Sequence, residues 1–126
     1  ILNPELIAQI AAIGHTEYLV IADAGLPVPN GVKVIDLSVV RGVPTFEQVL
    51  SAVREELVSD AYIVAGEMPG KSPELYACTG RLLAGLPETR IPHEEFKALT
   101  RSARCIVRTG ETKPYANVIL VGGVNF

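Results

Sequence analysis

The chain has 126 residues, 48% of them hydrophobic and 20% charged, and carries a formal net charge of −3. That length fits one domain, residues 1–126, with a core of its own. The charge excludes a binder of nucleic-acid phosphates, which needs clustered Lys and Arg, and no apolar run approaches the roughly 18–20 residues that cross a bilayer.

The stretch "NPELIAQIAAIG" (3–14) predicts a helix with both ends marked. Asn3 suits the cap, Pro4 the first helical position and Gly14 the position just past the end. Leu6, Ile7, Ile10 and Ile13 share one face at helical spacing. His15 then stands before an uncharged run, Tyr18 to Ala22, that reads as a buried strand, and Asp23 closes that run. "AGLPVPNG" (24–31) is a loop, with two prolines and two glycines. "VKVIDLSV" (32–39) alternates as a second strand. "TFEQVLSAVREEL" (45–57) is a helix in which Thr45 and Gln48 are spaced as a capping box.

"AYIVAG" (61–66) predicts a third strand, and "SPELYACTGRLLAG" (72–85) a helix with Ser72 as cap and Pro73 at its first position. "TRI" (89–91) is a short strand, followed by the helix "HEEFKALTRSA" (93–103). "RCIVRTG" (104–110) and "NVILVGG" (117–123) are the last strands, joined by the polar connection "ETKPYA". Nearly all-apolar strands alternating with helices imply a sheet covered on both faces. The fold class is α/β: a three-layer α/β/α domain with a Rossmann-like, mixed or mostly parallel sheet. Ligands of such folds gather at loops beyond the strand ends, where Asp23 and the 110–117 connection both fall.

Trp is absent and aromatics make up 6%, so the apolar content is chiefly Ala, Val, Leu and Ile. That is more than a small monomer leaves wet, and it favours a homo-oligomer. Cys78, in a predicted helix, and Cys105, in a predicted strand, lack CxxC spacing and read as buried thiols of a reducing cytoplasm. Arg101, Arg104 and Arg108 read as solvated or paired with acids. P-loop, GxGxxG, GxSxG and HExxH motifs are absent, and the two histidines lie far apart. No metal site or cofactor is expected.

Seven polar residues at element ends remain: His15, Asp23, His93, Glu111, Lys113, Tyr115 and Asn117. Each has a plain structural alternative. His15 can cap a helix C-terminus, Asp23 and Asn117 can turn the chain, His93 can merely start a helix, and Tyr115 can pack. Together they permit a proton-shuttling site for a small polar molecule: histidine exchanges protons near neutral pH, and the others hold hydroxyls. The set has no activated nucleophile and no electron carrier, and it does not select the molecule.

Four stretches carry a resemblance: "IGHTEYLVIADAGLPVP", "GVPTFEQVL", "HEEFK" and above all "RTGETKPYANVILVGGV". On them the chain resembles, nearly end to end, the ribose pyranase family, the RbsD/FucU group of sugar mutarotases. The fucose-acting branch carries "DAHFP" after its first strand where this chain reads "DAGLP", which points to the ribose branch. The resemblance implies an RbsD-like fold and interconversion of β-D-ribopyranose and β-D-ribofuranose, supplying the furanose to a ribokinase in the cytoplasm. It implies no cofactor or metal, and a homo-oligomer, a decamer or another ring, with sites near subunit contacts. His15 matches the catalytic histidine; Asp23, His93, Tyr115, Ala116 and Asn117 match the sugar-binding residues, and Lys97 a family lysine. The segment from Glu67 to Pro92 is shorter and more apolar than the family pattern. Rival readings are a mutarotase of fucose or another monosaccharide, a sugar-binding protein without catalysis, and a structural oligomer.

Overall fold

A computed structural model describes residues 1–124. Helix α1 (Pro4–Ala12) starts as predicted, with the Asn3 side chain accepting from the Leu6 N–H. Its end differs in mechanism. Gly14 does not take the left-handed conformation; its N–H donates to the Glu17 carboxylate, and a Cβ there would lie 2.9 Å from that same oxygen. A side chain at position 14 would thus displace the Glu17 carboxylate from this bond, whereas no left-handed backbone demands glycine there. Of the four isoleucines and leucines assigned to one face, Leu6 is buried and Ile10 and Ile13 pack on the core, whereas Ile7 is exposed.

Strands β1 (Tyr18–Ala22) and β2 (Lys33–Asp36) lead to α2 (Phe46–Glu56), which opens with both hydrogen bonds of the Thr45–Gln48 capping box. Strand β2 is shorter than expected because Asp36 turns the chain by accepting from both the N–H and the hydroxyl of Ser38. Strand β3 (Ser59–Ala65) is followed by a one-turn helix, α3 (Met68–Lys71), then α4 (Pro73–Leu82), β4 (Glu88–Ile91) and α5 (His93–Leu99). A 3-10 turn at Thr100–Ser102 takes up what was expected as the end of α5. Strands β5 (Cys105–Arg108) and β6 (Val118–Gly122) are the last elements among the described residues.

The six strands lie in the order β2-β5-β1-β6-β3-β4. Strand β6 runs antiparallel to both of its neighbours, β1 and β3; every other pairing is parallel. The sheet is therefore mixed and mostly parallel, with one reversed strand near its middle. Alternation along β1 divides the core. Leu19 and Ile21 face a cluster with Leu6, Phe46, Leu50, Met68 and Leu75 from α1 to α4. Val20 and Ala22 face a smaller one with Leu26 and Phe96 of α5. Four helices cover one face and α5 the other, so both faces of β1 are dry and the layers number three. No described helix is long and apolar enough to cross a membrane.

This topology decides where the polar loops meet. Strands β5 and β6 run in opposite directions with β1 between them. The connection 109–117 must therefore cross the carboxyl end of β1, where Asp23 stands.

Candidate active site

The crossing brings together residues separated by 94 positions. Asn117 is fully buried; its Oδ1 accepts the Asp23 N–H at 2.8 Å and its Nδ2 donates to Asp23 Oδ2 at 3.1 Å. The other carboxylate oxygen of Asp23 accepts the Gly25 N–H at 2.9 Å. Asp23 thus makes the chain turn of the plain reading, while also presenting a fixed carboxylate at the mouth of a cleft. That cleft, about 440 Å³, is lined by Asp23, Ala24, Gly25, Arg41, Glu111, Thr112, Lys113 and Pro114.

Glu111 sets the shape of the crossing loop. Its buried carboxylate accepts backbone N–H groups from Phe46 at 3.2 Å, Thr112 at 3.2 Å and Lys113 at 3.3 Å. An anion is favoured at the N-terminus of α2, so one side chain stabilises the helix start and the loop together. The Glu111 carbonyl accepts the Ala24 N–H at 2.9 Å. Ser72, expected to cap α4, instead donates its hydroxyl to the Pro114 carbonyl at 2.6 Å, tying the same loop to the helical layer.

His93, the first residue of α5, lies at the same end of the sheet because β4 runs parallel to β3. Its N–H donates to the Glu67 carboxylate, and its ring meets Tyr115 edge-on with centroids 5.0 Å apart. His93 Nδ1 is the only buried side-chain nitrogen or oxygen among the described residues without a hydrogen-bond partner. Leaving such an atom unpaired costs about 1–3 kcal/mol. Tyr115 sits at φ 60°, in the left-handed region, and its carbonyl accepts the Asn117 N–H at 2.9 Å. Ala116 is fully buried between them.

His15 is placed differently. It precedes β1, so it lies at the amino ends of the parallel strands, separated from Asp23 by a five-residue strand of about 16 Å. It does not cap α1. Its Nε2 faces Asp60 Oδ2 at 3.1 Å, at the start of β3. Both side chains are half exposed, 53% and 49%. Asp23 therefore does not orient the histidine of its own chain; Asp60 does. The next residue, Thr16, has φ 70°. Thr16 and Tyr115 are the only non-glycine residues with positive φ among the described residues. A β-branched residue there is a conformational outlier, and such strain collects at functional sites.

Asp23, His93, Tyr115, Ala116 and Asn117 thus cluster at one end of the sheet, with Glu111 and Lys113 beside them, and His15 lies at the other. Lys97 forms an ion pair with Glu94 at 2.8 Å. Of the three arginines, Arg104 pairs with Glu17 and Arg108 with Asp36. Asp60 was missed, although an acid heading an apolar run, as in "SDAYIVA", carries the same signal in reverse that Asp23 gives at the end of β1.

Comparison with known proteins agrees with this architecture. Residues 1–125 match the model of the RbsD / FucU transport protein family. A D-ribose pyranase of Geobacillus kaustophilus is 48% identical over the whole chain and 93% of its own length. The structure of Bacillus subtilis RbsD complexed with D-ribose superimposes with a TM-score of 0.98 at 44% identity, covering 100% of this chain and 96% of the other. The fucose mutarotase of Streptococcus pneumoniae, in complex with L-fucose, gives a TM-score of 0.84 at 26% identity, covering 99% and 95%. The segment from Glu67 to Pro92 lies within each of these matches and does not alter the fold. The chain belongs to the RbsD / FucU transport protein family.

Proposed function

We propose that the protein is an isomerase that interconverts the pyranose and furanose forms of D-ribose in the cytoplasm, at sites completed between subunits of a homo-oligomer. The likeness to D-ribose pyranases over the full chain supports the activity. The separation of His15 from the Asp23 cluster supports the shared site. One chain cannot bring both ends of β1 to one sugar, whereas a neighbouring copy can lay its His15 and Asp60 over the cleft. Such a contact would also cover the half-exposed His15–Asp60 pair and exclude water from it.

The chemistry needs only proton transfer. Ring opening takes a proton from the anomeric hydroxyl and delivers one to the ring oxygen as its bond to C1 breaks. The aldehyde formed recloses through a different hydroxyl, and the transfers run in reverse. Asp60 is an acceptor, so it selects the His15 tautomer with hydrogen on Nε2 and leaves the Nδ1 lone pair for the anomeric proton. Each positioned acid or base contributes about 10²–10⁴-fold. Asp23, His93 and Tyr115 hold sugar hydroxyls, Asn117 serves the sugar through its bonds to Asp23, and Ala116 offers its backbone. The observation that carries this reading is the prebuilt, hydrogen-bonded Asp23–Asn117 carboxylate beside an open cleft.

The test is NMR magnetisation exchange between pyranose and furanose signals of D-ribose, with and without protein. Faster exchange that disappears in folded His15→Ala supports the reading. Exchange at the buffer rate in folded wild type overturns it, and ribose-dependent thermal stabilisation without exchange would mark a binding protein instead.

A further inference from the structure

We propose that Arg108 is a positioning residue for the sugar site, acting on the Asp23 carboxylate through the peptide that joins Ala24 to Gly25. This rests on Asp23 being a sugar ligand. Arg108 ends β5, in register with Ala22 of β1 on one side and Asp36 of β2 on the other. Its side chain therefore lies across the carboxyl ends of three parallel strands. Nε and Nη2 both donate to the Ala24 carbonyl, at 3.0 and 2.5 Å, and Nη1 faces Asp36 Oδ2 at 3.4 Å. Asp36 is itself held by Ser38, so the guanidinium has a fixed anchor.

The carbonyl of Ala24 and the N–H of Gly25 belong to one planar peptide and point in opposite directions. Holding the carbonyl on Arg108 turns the N–H onto Asp23 Oδ1, where it donates at 2.9 Å. The preceding peptide is fixed independently, because the Ala24 N–H donates to the Glu111 carbonyl at 2.9 Å. Arg108 thus sets the one remaining rotation that decides whether Asp23 receives this hydrogen bond. Without it the peptide can turn, and the carboxylate must be ordered at the moment of binding.

The experiment compares Arg108→Met, Arg108→Lys and Asp23→Ala with wild type, measuring exchange against ribose concentration. Arg108→Met should raise KM about tenfold, equivalent to about 1.4 kcal/mol, with kcat changed far less. Arg108→Lys, which reaches the Ala24 carbonyl with one ammonium group, should recover part of that loss. A wild-type KM in either folded Arg108 variant, with Asp23→Ala impaired, overturns the inference whatever the melting temperature does. If Arg108→Met does not fold, Arg108→Lys decides alone: a raised KM supports the inference and an unchanged one overturns it. An unchanged KM in Asp23→Ala overturns the sugar-site reading and this inference with it.

Discussion

Replacing Asn117 by aspartate exchanges one amino group for an oxygen at a fully buried position. The bond from the Asp23 N–H survives, because it already meets an oxygen. The other contact becomes two carboxylate oxygens about 3.1 Å apart, where Nδ2 now donates to Asp23. Two full charges at that separation repel by about 5 kcal/mol at an effective dielectric of about 20. Retaining a proton costs only about 1.4 kcal/mol per pH unit above the ordinary carboxyl value near 3.9. The pair therefore keeps one shared proton until roughly pH 7 to 8. The folded-state pKa is raised above the unfolded one, so the stability deficit is small near pH 4 and grows as pH rises, by about 1.4 kcal/mol per unit. That amounts to about 1.5 kcal/mol at pH 5 and about 4 kcal/mol at pH 7. At about 3–5 °C per kcal/mol for a domain of this size, the melting deficit should widen from about 5 °C to about 15 °C between those pH values. Thermal melts of wild type and Asn117→Asp across pH 5–7 measure it directly. A deficit that does not change with pH would refute the facing of Asp23 and Asn117 on which the site is built.

Three further outcomes are expected. In Gly110→Ala the new Cβ would lie 2.5 Å from the Val43 carbonyl oxygen and 2.7 Å from that of Val40; both are backbone, so the loop must shift, costing about 1–3 kcal/mol, and an unchanged melting temperature would contradict this. Thr45→Ala removes half of the α2 capping box and should lower stability by about 1 kcal/mol, read as a fall in the denaturant midpoint at constant slope. Burial, before any other cause, pushes the Cys105 thiol up to about 11 and the Tyr62 hydroxyl up to about 12, the latter helped by its bond to Glu88. The folded state holds these protons longer than the unfolded chain, so their contribution is full below about pH 9 and is lost as pH rises through 11 to 12. Stability that stays level from pH 8 to 11 would contradict it.

What the sequence made legible is what local chemistry determines. The capping box of α2, the proline at the start of α4 and the apolar run of β1 each act within a few residues, and each appears where expected. The one-turn helix α3 carries Pro69 and Gly70 and is too short to show a period. The reversal of β6 is a matter of strand order, which no single segment encodes. The same division holds at the site. Asp23 and the 110–117 connection were placed together by the rule that ligand loops collect at strand ends, and they do meet. Ser72 carries a cap signal, but the Pro114 carbonyl, distant in sequence, takes its hydroxyl. His15 and Asp23 sit eight residues apart and belong to one set of candidate site residues. An extended strand turns sequence nearness into opposite ends of a sheet, and only a structure or a second subunit resolves the conflict.

The measurement that bears most directly on the central claim is subunit complementation. His15→Ala and Asp23→Ala proteins are each assayed for pyranose–furanose exchange of D-ribose, then dissociated, mixed in equal amounts and reassembled. A site built from two chains predicts that both variants are inactive alone, and that the mixture regains activity at on the order of one site in four. A reassembled mixture as inactive as its components would contradict it, because His15 and Asp23 would then have to act from the same chain.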